Sequence, residues 1–179
     1  MKIVILNGSA RMKGNTRTAL KAIESGIDTE AHEVEFIDVA KYKMSGCMGC
    51  DGCKKTGGIC VIKDDCIEIV EKVAAADMII FGSPVYWWGI SAQLKTVIDR
   101  VYMKNETLGN TKKKIGIVAV GADELSGEQY ALISGQFKCI CDYLGWDLVI
   151  DQAISAAAIG DMKKQSERME ELQKLGKAL

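Results

Sequence analysis

Four of the seven cysteines crowd between Cys47 and Cys60, spaced C-x2-C-x2-C-x6-C. Three thiolates three residues apart can wrap one side of an iron–sulfur cubane, and a fourth can close it. Cys47, Cys50 and Cys53 each follow a glycine (Gly46, Gly49 and Gly52), a residue that admits the φ > 0 turns needed to aim backbone N–H groups at cluster sulfurs. Zinc is the weaker reading, because zinc sites more often pair two separated two-cysteine knuckles. Free or redox-active thiols are the third. The remaining cysteines stand apart: Cys66 falls on an apolar helix face, and Cys139 and Cys141 point in different directions along a helix. At least two of these three are expected to be buried small hydrophobes.

A second constellation suits a phosphate. The run Asn7-Gly8-Ser9-Ala10-Arg11-Met12-Lys13-Gly14-Asn15-Thr16 follows an apolar strand and opens a helix. Unbonded N–H groups at a helix N-terminus bind anions. Ser9, Asn15 and Thr16 add neutral donors, Arg11 a planar cationic one, and Gly14 room at the turn. The spacing is neither a Walker A loop, whose lysine position is held here by Asn15, nor a G-x-G-x-x-G dinucleotide fingerprint. Asn7 and Gly8 also stand where a phosphoacceptor receiver domain would place an acidic pair.

A third stretch, Gly82-Ser83-Pro84-Val85-Tyr86-Trp87-Trp88-Gly89, holds the only proline and three adjacent aromatics. A loop has no single buried face for three such rings, so a planar, stacking ligand is the expected use; the other reading for Trp87 or Trp88 is packing under the loop or at a dimer interface. Gly121-Ala122-Asp123 is a small-residue loop that lets a ligand edge approach backbone N–H groups. The single histidine, His32, lies in a connection away from these loops, and no nucleophile–base pair has a supporting spacing. No side chain is therefore expected to be catalytic.

The elements that must position these loops alternate strand and helix. Apolar runs at 2–6, Val34 to Asp38, Met78 to Gly82, Ile115 to Val120 and Trp146 to Ile150 read as strands, four of them continuous enough to be covered on both faces. Helical periodicity marks Leu20-Ile23-Ile27, then Cys66 to Ala74 behind Asp64 and Asp65 as N-cap candidates, then Ile90 to Val101. Residues 125–144 and a C-terminal segment starting near Asp161 complete the set. Strict alternation means an open parallel α/β sheet. Ligands in such sheets bind at the C-terminal strand ends. Two long connections, 39–64 and 151–160, stand out as functional candidates. No domain boundary is visible across 1–179.

Composition excludes other classes. Of 179 residues, 23 are basic and 24 acidic, which gives no electrostatic case for a nucleic-acid partner. No apolar run approaches the ~20 residues of a membrane span. The N-terminus enters a strand without a secretory pattern, so the chain is expected to be cytoplasmic, where structural disulfides are rare.

The stretches Gly8-Ser9-Ala10-Arg11, Gly14-Asn15-Thr16 and Ser83-Pro84-Val85-Tyr86, followed by Lys95 with Asp99-Arg100, resemble the NAD(P)H-dependent FMN reductase family of flavodoxin-like proteins. The resemblance implies a flavodoxin-like, five-stranded parallel sheet of order 2-1-3-4-5 with helices on both faces. It also implies one FMN-binding domain over 1–179, bound FMN, and a homodimer or larger homo-oligomer. By the same resemblance Ser9, Arg11, Gly14, Asn15 and Thr16 hold the phosphate, and Pro84, Val85, Tyr86, Trp87, Gly121 and Ala122 hold the isoalloxazine. Trp87-Trp88 is bulkier than the family pattern.

The cysteine motif is similar to that of the iron–sulfur flavoproteins, which share this fold and carry a 4Fe–4S cluster beside FMN. Cys47, Cys50, Cys53 and Cys60 are then the candidate ligands. Cluster-free members of the wider family carry similar loops as a flap near the partner subunit's flavin. The expected activity is FMN-dependent oxidoreduction from NAD(P)H to a flavin, quinone or other small acceptor. The alternative is electron carriage between a ferredoxin-like donor and FMN through the cluster. A third reading, a non-enzymatic flavodoxin-type carrier, is disfavoured by the net charge of −1. The cysteine loop is expected near a flavin, its own or a partner's.

Overall fold

The computed structural model describes residues 1–179. Five strands, β1 (Lys2–Asn7), β2 (Glu33–Asp38), β3 (Met78–Pro84), β4 (Lys114–Gly121) and β5 (Asp147–Ser155), form one sheet in the order β2-β1-β3-β4-β5. All neighbours are parallel. The order reverses between β1 and β3, so the flavodoxin-like arrangement and its switch point are as expected.

Side chains alternate across each strand and build a core on each face. Ile3, Ile5, Met78, Ile80, Val118 and Val120 face one core, with α1 (Asn15–Glu24), α7 (Asp161–Lys164) and α8 (Ser166–Lys177) packed over it. Val4, Leu6, Ile79, Phe81, Ile115 and Ile117 face the other. This second core is covered by α3 (Cys66–Ala75), α4 (Ala92–Arg100) and α6 (Glu128–Leu144). Two shorter helices, α2 (Gly52–Lys55) and α5 (Asn105–Leu108), lie in the connections. Gly26 and Gly176 let α1 and α8 cross closely: a Cβ at either would run into a backbone carbonyl of the opposite segment.

Two expectations need correction. The last strand does not end at Ile150 but continues to Ser155, so the supposed connection 151–160 is half strand. Asp151 and Gln152 interrupt the apolar run because β5 is an edge strand whose burial alternates, with only Ile150 and Ile154 fully buried. The C-terminal segment is broken: α7 stops at Lys164, and a fresh helix begins at Ser166.

Candidate functional site

The C-terminal ends of β1, β3 and β4 converge on one cleft. Gly8 N–H donates to Gly82 O at 2.8 Å, carrying the sheet pairing past β1. A Cβ on Gly8 would meet Leu94 Cβ at 2.8 Å and Ser91 Oγ at 2.9 Å, so only glycine lets the first loop leave the sheet here. Ser91 locks the arrangement. Its hydroxyl donates to Gly8 O at 2.7 Å, while its N–H donates to Ser83 Oγ at 2.8 Å, pinning both ends of the 84–91 loop to the top of the sheet. On the far side the Tyr130 hydroxyl lies 3.1 Å from Asp123 O and 3.2 Å from Ile154 O. It sits beneath Gly121, where a Cβ would come within 2.7 Å of it.

The cleft has a volume of about 150 Å³. All the residues expected at the phosphate line it: Ser9, Arg11, Gly14, Asn15 and Thr16. So do Pro84, Val85, Tyr86, Gly121 and Ala122. Val120, Ala156 and Ala157 also line it. The two alanines follow the part of β5 that its polar residues hide from the sequence pattern; the end of this edge strand is the signal that points to them.

At the floor of the cleft, α1 begins with Gly14 as N-cap and no side chain caps it. Its first-turn N–H groups therefore lack partners within the helix. Arg11 is exposed, and its guanidinium has no hydrogen-bond or ion-pair partner within the chain. Its backbone N–H is held by Ser9 Oγ at 3.2 Å. Ser9 and Thr16 are buried at 3% and 2% exposure, so their hydroxyls have fixed surroundings. An uncapped helix start, two hydroxyls and an unpaired guanidinium form a donor set with no acceptor of its own, which fits a phosphate dianion.

Two residues behave differently from expectation. The Asn15 amide is already committed: its Nδ2 donates to Ala156 O at 3.1 Å and Ala158 O at 2.8 Å, and its Oδ1 accepts from Gly160 N–H at 3.0 Å and Met162 N–H at 3.2 Å. What Asn15 leaves for a ligand is its backbone N–H. Trp87 does not line the cleft and is 92% exposed. Tyr86 and Gly89 exchange both backbone hydrogen bonds, at 2.9 and 3.0 Å, closing a two-residue hairpin. Trp87 and Trp88 are its tip, with φ of 48° and 59°. The turn carries Trp87 away from the cleft and leaves Tyr86 at the rim.

The edge strand β2 ends in a charged knot beside the first loop. Asp38 accepts from Asn7 Nδ2 at 2.9 Å and from Arg17 Nε at 2.9 Å, with Lys41 at 3.3 Å. Burial works to raise its pKa, but Arg17, Asn7 and Lys41 outweigh it and hold the carboxyl below the usual range.

The cysteine loop occupies a separate place. Cys47, Cys50, Cys53 and Cys60 all border one narrow cavity, together with Asp99, Arg100, Tyr102 and Met103 from α4 and the turn after it. As they stand, no three of these sulfurs are gathered into a metal-holding set. The loop bends through Gly49, Asp51, Gly57 and Gly58, all at positive φ. Arg100 is buried at 1% exposure and its Nε–H has no partner. The cavity has a volume of only about 20 Å³ as it stands, but four thiols bordering it beside a buried arginine with a free donor have the chemistry to hold an occupant bound through anionic sulfur. Cys66 is not among them: burial pushes its thiol up to about 11, and it packs in the core. Cys141 is likewise buried and pushed up to about 11, whereas Cys139 is exposed. The cysteine cavity and the cleft share no lining residue.

Comparison with known proteins accords with this geometry. The model of a family described as NADPH-dependent FMN reductase matches residues 1–134. An iron–sulfur flavoprotein of Methanocaldococcus jannaschii is 41% identical over 129 residues, 72% of this chain and 66% of that protein. The chain thus spans about two thirds of that relative's length. A Bacillus subtilis protein named as an NAD(P)H-dependent FMN-containing oxidoreductase is 30% identical over 155 residues, covering 81% of this chain and 80% of its own. The solved structure of a Trp repressor binding protein from Bacillus subtilis matches with a TM-score of 0.68 at 22% identity, over 98% of this chain and 99% of that one. At that identity the likeness concerns the fold alone. No helix is long and apolar enough to cross a membrane. By the match over residues 1–134, the chain belongs to the NADPH-dependent FMN reductase family.

Proposed function

We propose that the chain binds FMN in the cleft at the ends of β1, β3 and β4 and passes electrons from NAD(P)H to a flavin, quinone or other small acceptor. The observation that carries this reading is the uncapped start of α1 beside the unpaired Arg11 guanidinium. Bound FMN would supply the hydride and electron chemistry. The chain's own residues bind and orient. Ser9, Arg11, Thr16 and the first N–H groups of α1 hold the phosphate. Gly121 and Ala122 offer backbone to the ring edge, and Pro84, Val85 and Tyr86 form the wall. With no dinucleotide fingerprint, NAD(P)H binds briefly at the open side of the cleft. The test is a fluorescence titration with FMN, followed by anaerobic NADPH oxidation with and without a quinone. Failure to bind FMN at micromolar concentration would overturn the reading.

A second reading is favoured by the cavity that all four loop thiols border. In it Cys47, Cys50, Cys53 and Cys60 hold a 4Fe–4S cluster, and a ferredoxin-like donor supplies single electrons. The electrons would pass on to FMN, the chain's own or that of a partner in a homodimer or larger homo-oligomer. Anaerobic reconstitution with iron and sulfide tests this: about four irons per chain support it, and no uptake leaves the flavin reductase alone.

A further inference from the structure

Arginine is rarely buried completely, because removing its charge from water is costly. Arg100, at the end of α4, is 1% exposed, and four of its five N–H groups are accounted for. Nη1 donates to Ser45 O at 2.8 Å and to Asp64 Oδ2 at 3.1 Å. Nη2 donates to Ile62 O at 3.2 Å and to Asp64 Oδ1 at 3.0 Å. Ser45 stands two residues before Cys47, and Ile62 two residues after Cys60. One guanidinium therefore bonds both stems of the cysteine loop. Asp64 completes the clasp by accepting from Ser45 N–H at 2.8 Å and Cys66 N–H at 3.2 Å. Burial opposes both charges, but the pairing prevails: Asp64 is held below the usual carboxylate range and Arg100 above its own.

The fifth donor is the informative one. Nε–H is buried without an acceptor, on a residue that borders the cavity shared by the four loop cysteines. A buried N–H normally has a partner. A clasp made by the fork alone leaves this donor unexplained.

We propose that Arg100 is the positioning residue of the cysteine loop, its fork fixing both stems while its Nε–H serves the anionic sulfur of the cavity's occupant. The second half rests on the cluster reading above; the first half does not. A fixed cation and donor beside a sulfur-ligated centre favours the more negative, reduced state.

The experiment compares the parent with Arg100→Lys, which keeps the charge and loses the fork, and Asp64→Asn, which keeps the arginine. In the iron-free protein, amide hydrogen exchange at Ser45 and Cys66 should quicken about tenfold or more in both variants, with the sheet unchanged. Parent-like exchange in Arg100→Lys overturns the clasp; if that variant does not fold, parent-like exchange in Asp64→Asn does so. After anaerobic reconstitution, Arg100→Lys should lose iron, or hold it at a more negative potential with an altered paramagnetic signal. Asp64→Asn, once loaded, removes a negative charge but keeps the donor, so its potential should not become more negative than the parent's. An unchanged potential and signal in loaded Arg100→Lys overturns the donor role. A parent that takes up no iron overturns it together with the cluster reading, and the exchange measurement still decides the clasp.

Discussion

Asn15, in the first turn of α1, donates its side-chain amide to Ala158 O at 2.8 Å, tying the helix that opens the cleft to the segment that closes it after β5. The two residues are far apart in sequence, and the same amide also bonds Ala156, Gly160 and Met162. Asn15 thus fixes the wall formed by Ala156 and Ala157 relative to the phosphate loop.

Asn15→Ala should therefore cost stability as well as affinity. Losing this set of bonds should destabilise the chain by about 1–3 kcal/mol, less than their sum because the freed groups near the surface regain water. Urea denaturation measures it. A variant as stable as the parent would show that the amide does not tie the loop.

Arg11→Ala should cost affinity alone. Its guanidinium is exposed and unpaired, so folding should be unchanged. FMN affinity should fall about ten- to a hundredfold, the worth of a charge-assisted contact of roughly 1.5–3 kcal/mol. An FMN titration with parallel denaturation separates the two effects. An unchanged dissociation constant removes Arg11 from the site.

These two residues mark what the sequence could and could not reveal. Arg11, Ser9 and Thr16 were legible because a helix start after a parallel strand has one physical use for such donors. The polar type of Asn15 was legible, but its partners were not, since they follow a strand whose length the polar Asp151 and Gln152 concealed. In the sequence Trp87 belongs to a wall by its place among three adjacent loop aromatics; what redirects it is a backbone turn at φ of 48° that no residue type there announces. Arg100 was visible only as part of a motif. Its bonds to Ser45, Ile62 and Asp64 span 36–55 residues, a tertiary fact without a local pattern.

The Trp87-Trp88 hairpin carries a strain that can be measured. A two-residue hairpin with both central φ angles positive favours Asn-Gly, and a bulky L-residue in the left-handed region costs about 1–2 kcal/mol. Joint Trp87→Asn and Trp88→Gly replacement should stabilise the chain by roughly that amount. Tyr86, which lines the cleft, should quench bound flavin, so Tyr86→Ala should partly restore fluorescence while Trp87→Ala leaves it quenched. The reverse order would return Trp87 to the wall.

Acid should unfasten the knot at Asp38. Its folded pKa lies below the usual carboxylate value of about 3.9. The stabilisation is therefore fully present above that value and is lost as pH falls through the lower folded pKa. The charged groups that face it are Arg17 from α1 and Lys41 just after β2. Urea midpoints followed from pH 6 to pH 2.5 should fall steeply below about pH 4. Asp38→Asn should be less stable at pH 6 and flatter below pH 4. Equal acid limbs in the two proteins would place the loss elsewhere.

Thiol reactivity should divide the seven cysteines by burial rather than by sequence cluster. Cys66 and Cys141 are 0% and 3% exposed, and burial pushes both thiols up to about 11. At pH 8 only about one molecule in a thousand would hold either as thiolate, the reacting form. Cys47, Cys50 and Cys139 are exposed. In iron-free native protein, iodoacetamide should label these three first. Cys66 and Cys141 should follow roughly a hundredfold or more behind, at a rate set by opening of the core. Peptide mass spectrometry over a time course reads each site. Denaturant should then bring the slow pair up to the rate of the others. Cys66 labelling in step with Cys50 in the native protein would mean that the start of α3 is open to solvent, and that Cys66 belongs with the loop thiols after all.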